Sequence, residues 1–323
     1  MCKLISSSCM VGLLALSCSN SFDSRGPLQQ QLVVYSVLST DRNEQFVQVQ
    51  GDYMPQTYNP LSSTADNSIT GANVVLSVGG KTYTLRDTLL SRVDTSRYKF
   101  PIHAYYIGRL PIQRGKDILV SVSTSSYGAV SSSTIVPDQP KITLDPRTGA
   151  ILDQPNKNPL DAPMIFYIQL SKVAKGYIAR LLLYYDVLKG SEWVEEALEV
   201  PVTSNDSAAY TLDMPRYPQM NAASTSGQIA ITYKNGYYRG ILNKKNFEYR
   251  STELIFKWAT LVVLQADENL FRYYLNVHPN DDPRSVRLDE PMVTTINGGL
   301  GMVGSYSLDS LVYLLPYDFW GNR

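Results

Sequence analysis

The sequence predicts a mainly β protein, with an N-terminal β-sandwich followed by a second β-rich domain that carries one short helix. Three observations lead there. Short runs rich in Val, Thr and Tyr alternate apolar and polar residues along most of the chain, which is the period of a half-buried strand. Glycine-bearing turn signals, Gly79-Gly80, Lys189-Gly190 and Asn235-Gly236, follow such runs, and glycine accepts the positive φ that tight hairpins need. Six of the 18 prolines fall between residues 137 and 163, a density that interrupts both ladder and helix.

The elements follow in order. LVVYSVLS (32–39), QFVQVQGDY (45–53), ANVVLSV (72–78) and KTYTLRD (81–87) each read as a strand. RYKFPIHAYYI (97–107), broken or set at an edge by Pro101, DILVSVST (117–124) and GAVSSSTIV (128–136) complete seven short strands, the count of a β-sandwich over residues 31–136,. The proline-rich stretch 137–163 reads as a linker, and 164–323 as the second domain. There MIFYIQLS (164–171), GYIARLLLYYDVL (176–188), EEALEVPVT (195–203), GQIAITYK (227–234), YYRGILN (237–243) and STELIFKWATLVVLQ (251–265) read as strands. DENLFRYYLNV (267–277) breaks the pattern: Asp267 reads as an N-cap, Leu270, Phe271, Tyr274 and Val277 share a face, and Pro279 ends the helix,. SYSLDSLVYLLP (305–316) closes the chain as a strand.

The N-terminus carries an address. Lys3, the apolar run Met10–Leu16 and the small residues after it form a secretory signal over residues 1–17, too short for a permanent membrane span,. Its end, Leu14-Ala15-Leu16-Ser17-Cys18, resembles the bacterial lipobox, in which cleavage precedes a cysteine that then carries lipid. Cys18 is accordingly the expected lipidation site, and residues 18–30 the tether. All three cysteines (Cys2, Cys9 and Cys18) lie in the first 18 residues. The body therefore has no thiol for a disulfide or a thiolate metal site.

Several chemistries find no support. Lys plus Arg and Asp plus Glu both total 29, so no net positive field draws a polyanion, and nucleic acid is not an expected partner. Gly299, Gly301 and Gly304 in NGGLGMVG have the spacing of a dinucleotide turn. That fingerprint requires a helix after the glycines and an acidic residue about 20 positions on. Here a strand pattern follows, and only 19 residues remain after Gly304. The glycines instead read as a strand where backbones approach closely, and no nucleotide is expected. His103 and His278 fall in different predicted domains, so no zinc site is expected,. His278 reads as a helix C-cap. The acids Asp281, Asp282, Asp289 and Glu290 lack EF-hand spacing and read as a solvated loop,. No Gly-x-Ser-x-Gly elbow, P-loop or distinctive carboxylate pair appears,. Neither a catalytic residue nor a cofactor is expected.

The 23 tyrosines are the better lead. The doublets Tyr105-Tyr106, Tyr184-Tyr185 and Tyr237-Tyr238 lie on predicted strands, so each sends one ring inward and one outward,. Outward rings offer flat amphipathic area to a sugar, peptide or protein. The alternative is that tyrosine simply suits a pleated surface.

The order of motifs resembles a family. Leu32-Val33-Val34 after the lipobox cysteine, Ile69-Thr70-Gly71-Ala72-Asn73-Val74-Val75-Leu76, Gly80-Lys81-Thr82-Tyr83-Thr84-Leu85 and the strands ending at Val136-Pro137 carry the likeness. The helix around Arg272-Tyr273-Tyr274 and the stretch Asn297-Gly298-Gly299-Leu300-Gly301 complete it. Together they resemble the Bacteroidota lipoproteins grouped as domain-of-unknown-function family 4249. The resemblance implies an immunoglobulin-like or transthyretin-like N-terminal sandwich and an outer-membrane lipoprotein partnered with a TonB-dependent transporter. It implies no catalytic residue. SNSFDS after Cys18 lacks the acidic cluster that marks export to the cell surface, so either membrane face remains open. The leading expectation is a membrane-anchored, non-catalytic binding or accessory protein that assists such a transporter in capturing a solute or peptide. A structural or adhesive, fimbria-like surface lipoprotein is the alternative, and a hydrolase the third reading.

Overall fold

In the computed structural model the described residues are 30–53, 64–92, 95–96, 98–153, 163–202, 219–234, 238, 241–242, 244–245, 248–249, 253–277 and 293–315. The signal sequence, Cys18, Asn235-Gly236, Tyr237, His278 and the acids at 281–290 lie outside them.

The protein is mainly β. One long sheet runs β12(Glu192–Val200)-β11(Gly176–Lys189)-β15(Leu254–Ala266)-β16(Leu300–Leu314)-β1(Leu32–Ser39)-β2(Gln45–Gly51)-β6(Ile102–Ile107)-β5(Arg86–Leu90), with the short β13(Asn221–Ala222) also on β11. A second sheet, β4(Lys81–Thr84)-β3(Asn73–Val78)-β7(Asp117–Thr124)-β8(Gly128–Ile135), packs on the N-terminal end of the first. A third, β14(Gln228–Tyr233)-β10(Met164–Gln169)-β9(Lys141–Leu144), packs on the other end. Two sandwiches thus share one continuous sheet.

Each sandwich has its own core, built by alternation. Leu32, Val34, Val47 and Val49 of the long sheet meet Val74, Leu76, Val120 and Val122. Leu181, Leu183, Leu261 and Val263 meet Met164, Phe166 and Ile168. Burying one such side chain contributes about 1.5–3 kcal/mol. Gly79 and Gly80 (φ +54° and +84°) make the expected hairpin, as does Gly190 (φ +68°) after β11.

Three expectations change. The segment 137–163 is no bare linker: Ile142 and Leu144 sit in β9, and helix α1(Pro146–Asp153) follows. Asp145 caps that helix through its carboxylate, which accepts from Arg147 N at 2.9 Å. Pro146 is tolerated in first position, where no intrahelical bond needs its missing N–H. Helix α1 thus precedes the expected one, α2(Glu268–Val277). Third, Tyr238, Ile241, Leu242, Lys244, Lys245 and Glu248 are helical and not a strand. Tyr238 and Leu242, four apart, are both buried in the C-terminal core, the spacing of one helix face.

The join between the sandwiches is a parallel pairing of β1 with β16, from Val33↔Leu300 to Ser39↔Tyr306. The other strand pairs are antiparallel, so this one sets the geometry. The glycines make it fit. Gly301 has φ +106°, and a Cβ there would run into the Val34 carbonyl. A Cβ on Gly304 would lie 2.8 Å from Leu270 of α2. A strand, β16, follows these glycines where a nucleotide turn would need a helix; the glycines bring backbone to backbone.

Asp267 locks the same junction. It caps α2 by accepting from Leu270 N at 2.8 Å, as the sequence predicted. It also accepts from Ser305 N of β16 at 2.9 Å and from the Thr134 hydroxyl of β8. Gln265, wholly buried, accepts from Ser171 N at 2.6 Å and donates to Asp138 O at 2.8 Å. It ties the segment after β8 to β15.

Two outcomes follow from this junction. Gly301→Ala should destabilise by about 3 kcal/mol or more, combining left-handed strain with a backbone clash; an unfolding midpoint unchanged in urea would refute the close-approach account. Burial pushes the Asp267 carboxyl up to about 6 from an ordinary 3.8, against the pull of its donors. Between those values the native state holds a proton that the unfolded chain releases, so this group's contribution falls as pH rises through the window. The stability of wild type relative to Asp267→Asn should therefore improve by on the order of 3 kcal/mol between pH 7 and pH 4, read by denaturant unfolding at each pH.

Candidate functional site

A one-sided antiparallel sheet usually turns polar residues to water. The C-terminal half of the long sheet does not. β11 and β15 are apolar on both faces, and the outward row is only partly covered. Register places Leu182 opposite Thr260 and Thr260 opposite Val312; beside them Tyr184 lies opposite Trp258 and Trp258 opposite Leu314. Directly opposed residues share a face. Val312 is 55% exposed and Leu314 76%, while the Tyr184 and Trp258 rings stack with centroids 5.3 Å apart and planes 25° from parallel.

Charged side chains frame this face and are already paired. Lys257 Nζ lies 4.6 Å above the Trp258 ring centre and bonds Glu195 at 2.8 Å and Asp186 at 3.2 Å. The bond it donates to Glu195 is the first cause of its raised pKa. Arg180 grips Glu199 with two nitrogens, at 2.9 and 2.5 Å, which raises its pKa in turn. A planar fork held this way keeps a fixed rim. The arrangement is an apolar platform with an aromatic centre and a neutralised polar border, suited to contact and not to proton transfer.

The platform ends at an open edge. β1 pairs with β16 only as far as Tyr306. Beyond it Arg114 donates to Leu308 O at 2.8 Å, and Ser310 N bonds its own neighbour Asp309. Leu315 N points to Lys257 O of β15, so by alternation the main-chain groups of Ser310, Val312 and Leu314 point the other way. Among the described residues none partners the outward N–H or C=O of Val312 or Leu314. Beside this edge a groove of about 450 Å³ is bordered by Gln139–Ile142 on one side and Asp309–Leu311 on the other.

The six tyrosines divide as the pleat requires where they are described. Tyr105 is 1% exposed; its hydroxyl accepts from Ala72 N and donates to Ile69 O, both at 2.8 Å. Tyr106 is half-buried, with its ring 5.2 Å from Phe46. Tyr185 is buried and donates to Glu196 at 2.6 Å; burial first, then that bond, lifts its pKa to about 12. Tyr184 faces outward. Tyr238 is wholly buried, and Tyr237 lies outside the described residues. Tyr105, Tyr185 and Tyr238 are therefore core rings closed to a ligand, a correction to their candidacy. Tyr106 and Tyr184 stand on strands at opposite ends of the long sheet and do not form one site.

Trp258, Val312 and Leu314 escaped the sequence reading. The available signal was unbroken apolarity in LLLYY and WATLVVL, where alternation was expected. Elsewhere, His103 Nε2 lies 2.6 Å from Asp87 while its buried Nδ1 has no partner. Among the described residues no three metal-binding side chains gather. Thr143, Tyr167, Gln169, Gln228 and Ala230 line a hollow of about 590 Å³ on the third sheet, larger and more enclosed than the groove beside β16.

A family described as "Domain of unknown function (DUF4249)" matches residues 21–311. No curated protein matches the chain. Among solved structures, the C-terminal globular domain of an oligosaccharyltransferase from Pyrococcus abyssi aligns at 10% identity and TM-score 0.21, over 89% of this chain and 49% of that one. A DUF4785 family protein from Legionella pneumophila aligns at 8% identity and TM-score 0.21, over 73% of this chain and 51% of that one. The chain thus spans about half the length of either.

If the platform is open to solvent, Val312→Thr and Leu314→Thr should each change the unfolding free energy by no more than about 0.5 kcal/mol. Both should shorten retention on a hydrophobic-interaction column. A loss of several kcal/mol on denaturant unfolding would mean the face is covered core.

Proposed function

The chain belongs to that family, and on this premise we propose that it is a membrane-anchored, non-catalytic binding protein. In this reading it is an outer-membrane lipoprotein held through Cys18, and it assists a TonB-dependent transporter in capturing a solute or peptide. The observation that carries the reading is the platform of Tyr184, Trp258, Val312 and Leu314. Contiguous apolar area rimmed by polar groups is characteristic of protein contact surfaces, and a central tryptophan is the kind of residue on which binding energy concentrates. The lipobox supports the anchor. Acyl chains contribute about 0.8 kcal/mol per buried CH₂; among the described residues no helix is long and apolar enough to cross a membrane.

A second reading, a structural or adhesive surface lipoprotein, draws on the open edge of β16, since unpaired edges template assembly.

Radiolabelled palmitate fed to cells should enter the wild-type protein and not Cys18→Ala, and the variant should leave the membrane fraction; equal labelling would overturn the anchor. Affinity capture of the wild type from detergent-solubilised native membranes should recover a β-barrel TonB-dependent transporter. Trp258→Ala should weaken that recovery by roughly tenfold or more, the scale of a hot-spot truncation. Capture of the transporter undiminished by Trp258→Ala would move the contact elsewhere. Capture of no transporter, with large ordered assemblies instead, would favour the adhesive reading.

A further inference from the structure

Sheet edges in this fold are not alike. β12, one outer edge of the long sheet, carries Glu192, Glu195, Glu196 and Glu199, and charged side chains on an edge strand deter a second strand. β5 begins with Arg86-Asp87, and β4 and β9 each begin with lysine. The overhang of β16 from Ser310 to Leu314 reads SLVYL, without charge, proline or glycine. β14 (QIAITY) and β8 (GAVSSSTI) are uncharged edges too; what sets the overhang apart among the described residues is the groove between it and the segment leading into β9. The overhang's outward main-chain groups at Val312 and Leu314 demand a partner with the spacing of an extended backbone, and the groove beside it, about 450 Å³, has the size of a ligand cleft.

We propose that this overhang binds an extended peptide segment of a partner protein, which adds as a strand to β16 and lies in the groove facing β9. The proposal rests on the binding reading above and names the chemistry of its partner. A strand hydrogen-bonded to Val312 and Leu314 places alternate side chains on the platform side, in line with the Trp258 row, and the intervening ones toward Pro140 and Ile142. The partner segment is therefore alternating, with apolar residues on the platform side. The groove presents one lysine, Lys141, and one acid, Asp309, so it offers no net charge to select by. Affinity comes from the main chain and specificity from the alternate pockets, as in other strand additions.

The probe is a nine-residue peptide of alternating valine and threonine with a lysine at each end, tested on the purified chain without its signal sequence. Hydrogen exchange followed residue by residue should show the Val312 and Leu314 amides exchanging freely alone and protected at saturating peptide. A peptide N-methylated at alternate positions, which lacks the outward donors, should bind about tenfold more weakly or worse. Val312→Pro removes a donor that the β15 ladder does not use, and edge positions tolerate proline; the folded variant should lose the peptide equally. Unchanged exchange at both amides, or equal binding of the N-methylated peptide, overturns the proposal. So does concentration-dependent dimerisation that protects the same amides, because the edge then serves a second copy. If Val312→Pro fails to fold, the N-methylated peptide decides alone. A failure here leaves transporter capture intact, whereas failure of the binding reading abolishes capture and leaves peptide protection untouched.

Discussion

The parallel contact between β1 and β16 is the constraint from which the rest of the architecture follows. It joins Val33 to Leu300, almost the full described span, so closing it costs more chain entropy than any local hairpin, although that cost grows only slowly with loop length. What offsets it is concentrated at the seam. Gly301 and Gly304 remove the side chains that would hold β16 away from β1 and α2. Asp267 then binds the seam to the N-terminal sandwich through Thr134 and to α2 through Leu270. Substitution at the glycines would act on both sandwiches at once, because the sheet they share passes through this contact.

The same contact sets the position of the open edge and the platform beside it. β1 ends at Ser39, opposite Tyr306, while β16 continues to Leu314. The eight residues past Tyr306 therefore keep β15 on one side and lose a neighbour on the other. Arg114 and Thr40 cover the first step at Leu308, and the remainder is edge. The overhang arises because β1 has 8 residues and β16 has 15. The platform owes its position to the same register, since Val312 and Leu314 continue the cross-strand rows of Thr260 and Trp258.

Most strands were legible because alternation reports local burial, and β1 and β7 match to the residue. The N-cap at Asp267 was legible because capping is local chemistry. What the sequence hid is long-range or compensated. Proline density between 137 and 163 suggested a linker, yet Pro146 at a helix start costs nothing, and Ile142 in β9 finds its partner Ile168 across the third sheet. The apolar spacing of YYRGILN fits strand and helix alike, and burial of both Tyr238 and Leu242 selects the helix. The doublets predicted one ring in and one out, and Tyr105-Tyr106 and Tyr184-Tyr185 obey. Nothing local, however, says that Tyr184 will stack on Trp258, since that pair depends on a register set 74 residues away along the chain.

The parallel sense of the seam also fixes where the two ends of the proposed function stand. β1 starts where β16 starts, with Val33 beside Leu300. The 14 steps from Leu300 to Leu314 advance about 45 Å along the sheet at a strand's rise, so the open edge sits at the far end from the point where the chain enters β1. A lipid on Cys18 would pull at the near end, through a segment whose full extension from Cys18 to Leu32 is at most about 50 Å. Antiparallel pairing at the seam would have put the overhang beside the tether, facing the bilayer. Parallel pairing turns it away from the point where the chain enters β1. Among the described residues the seam therefore sets the chain's entry into β1 at one end of the sheet and the open strand position of β16 at the other.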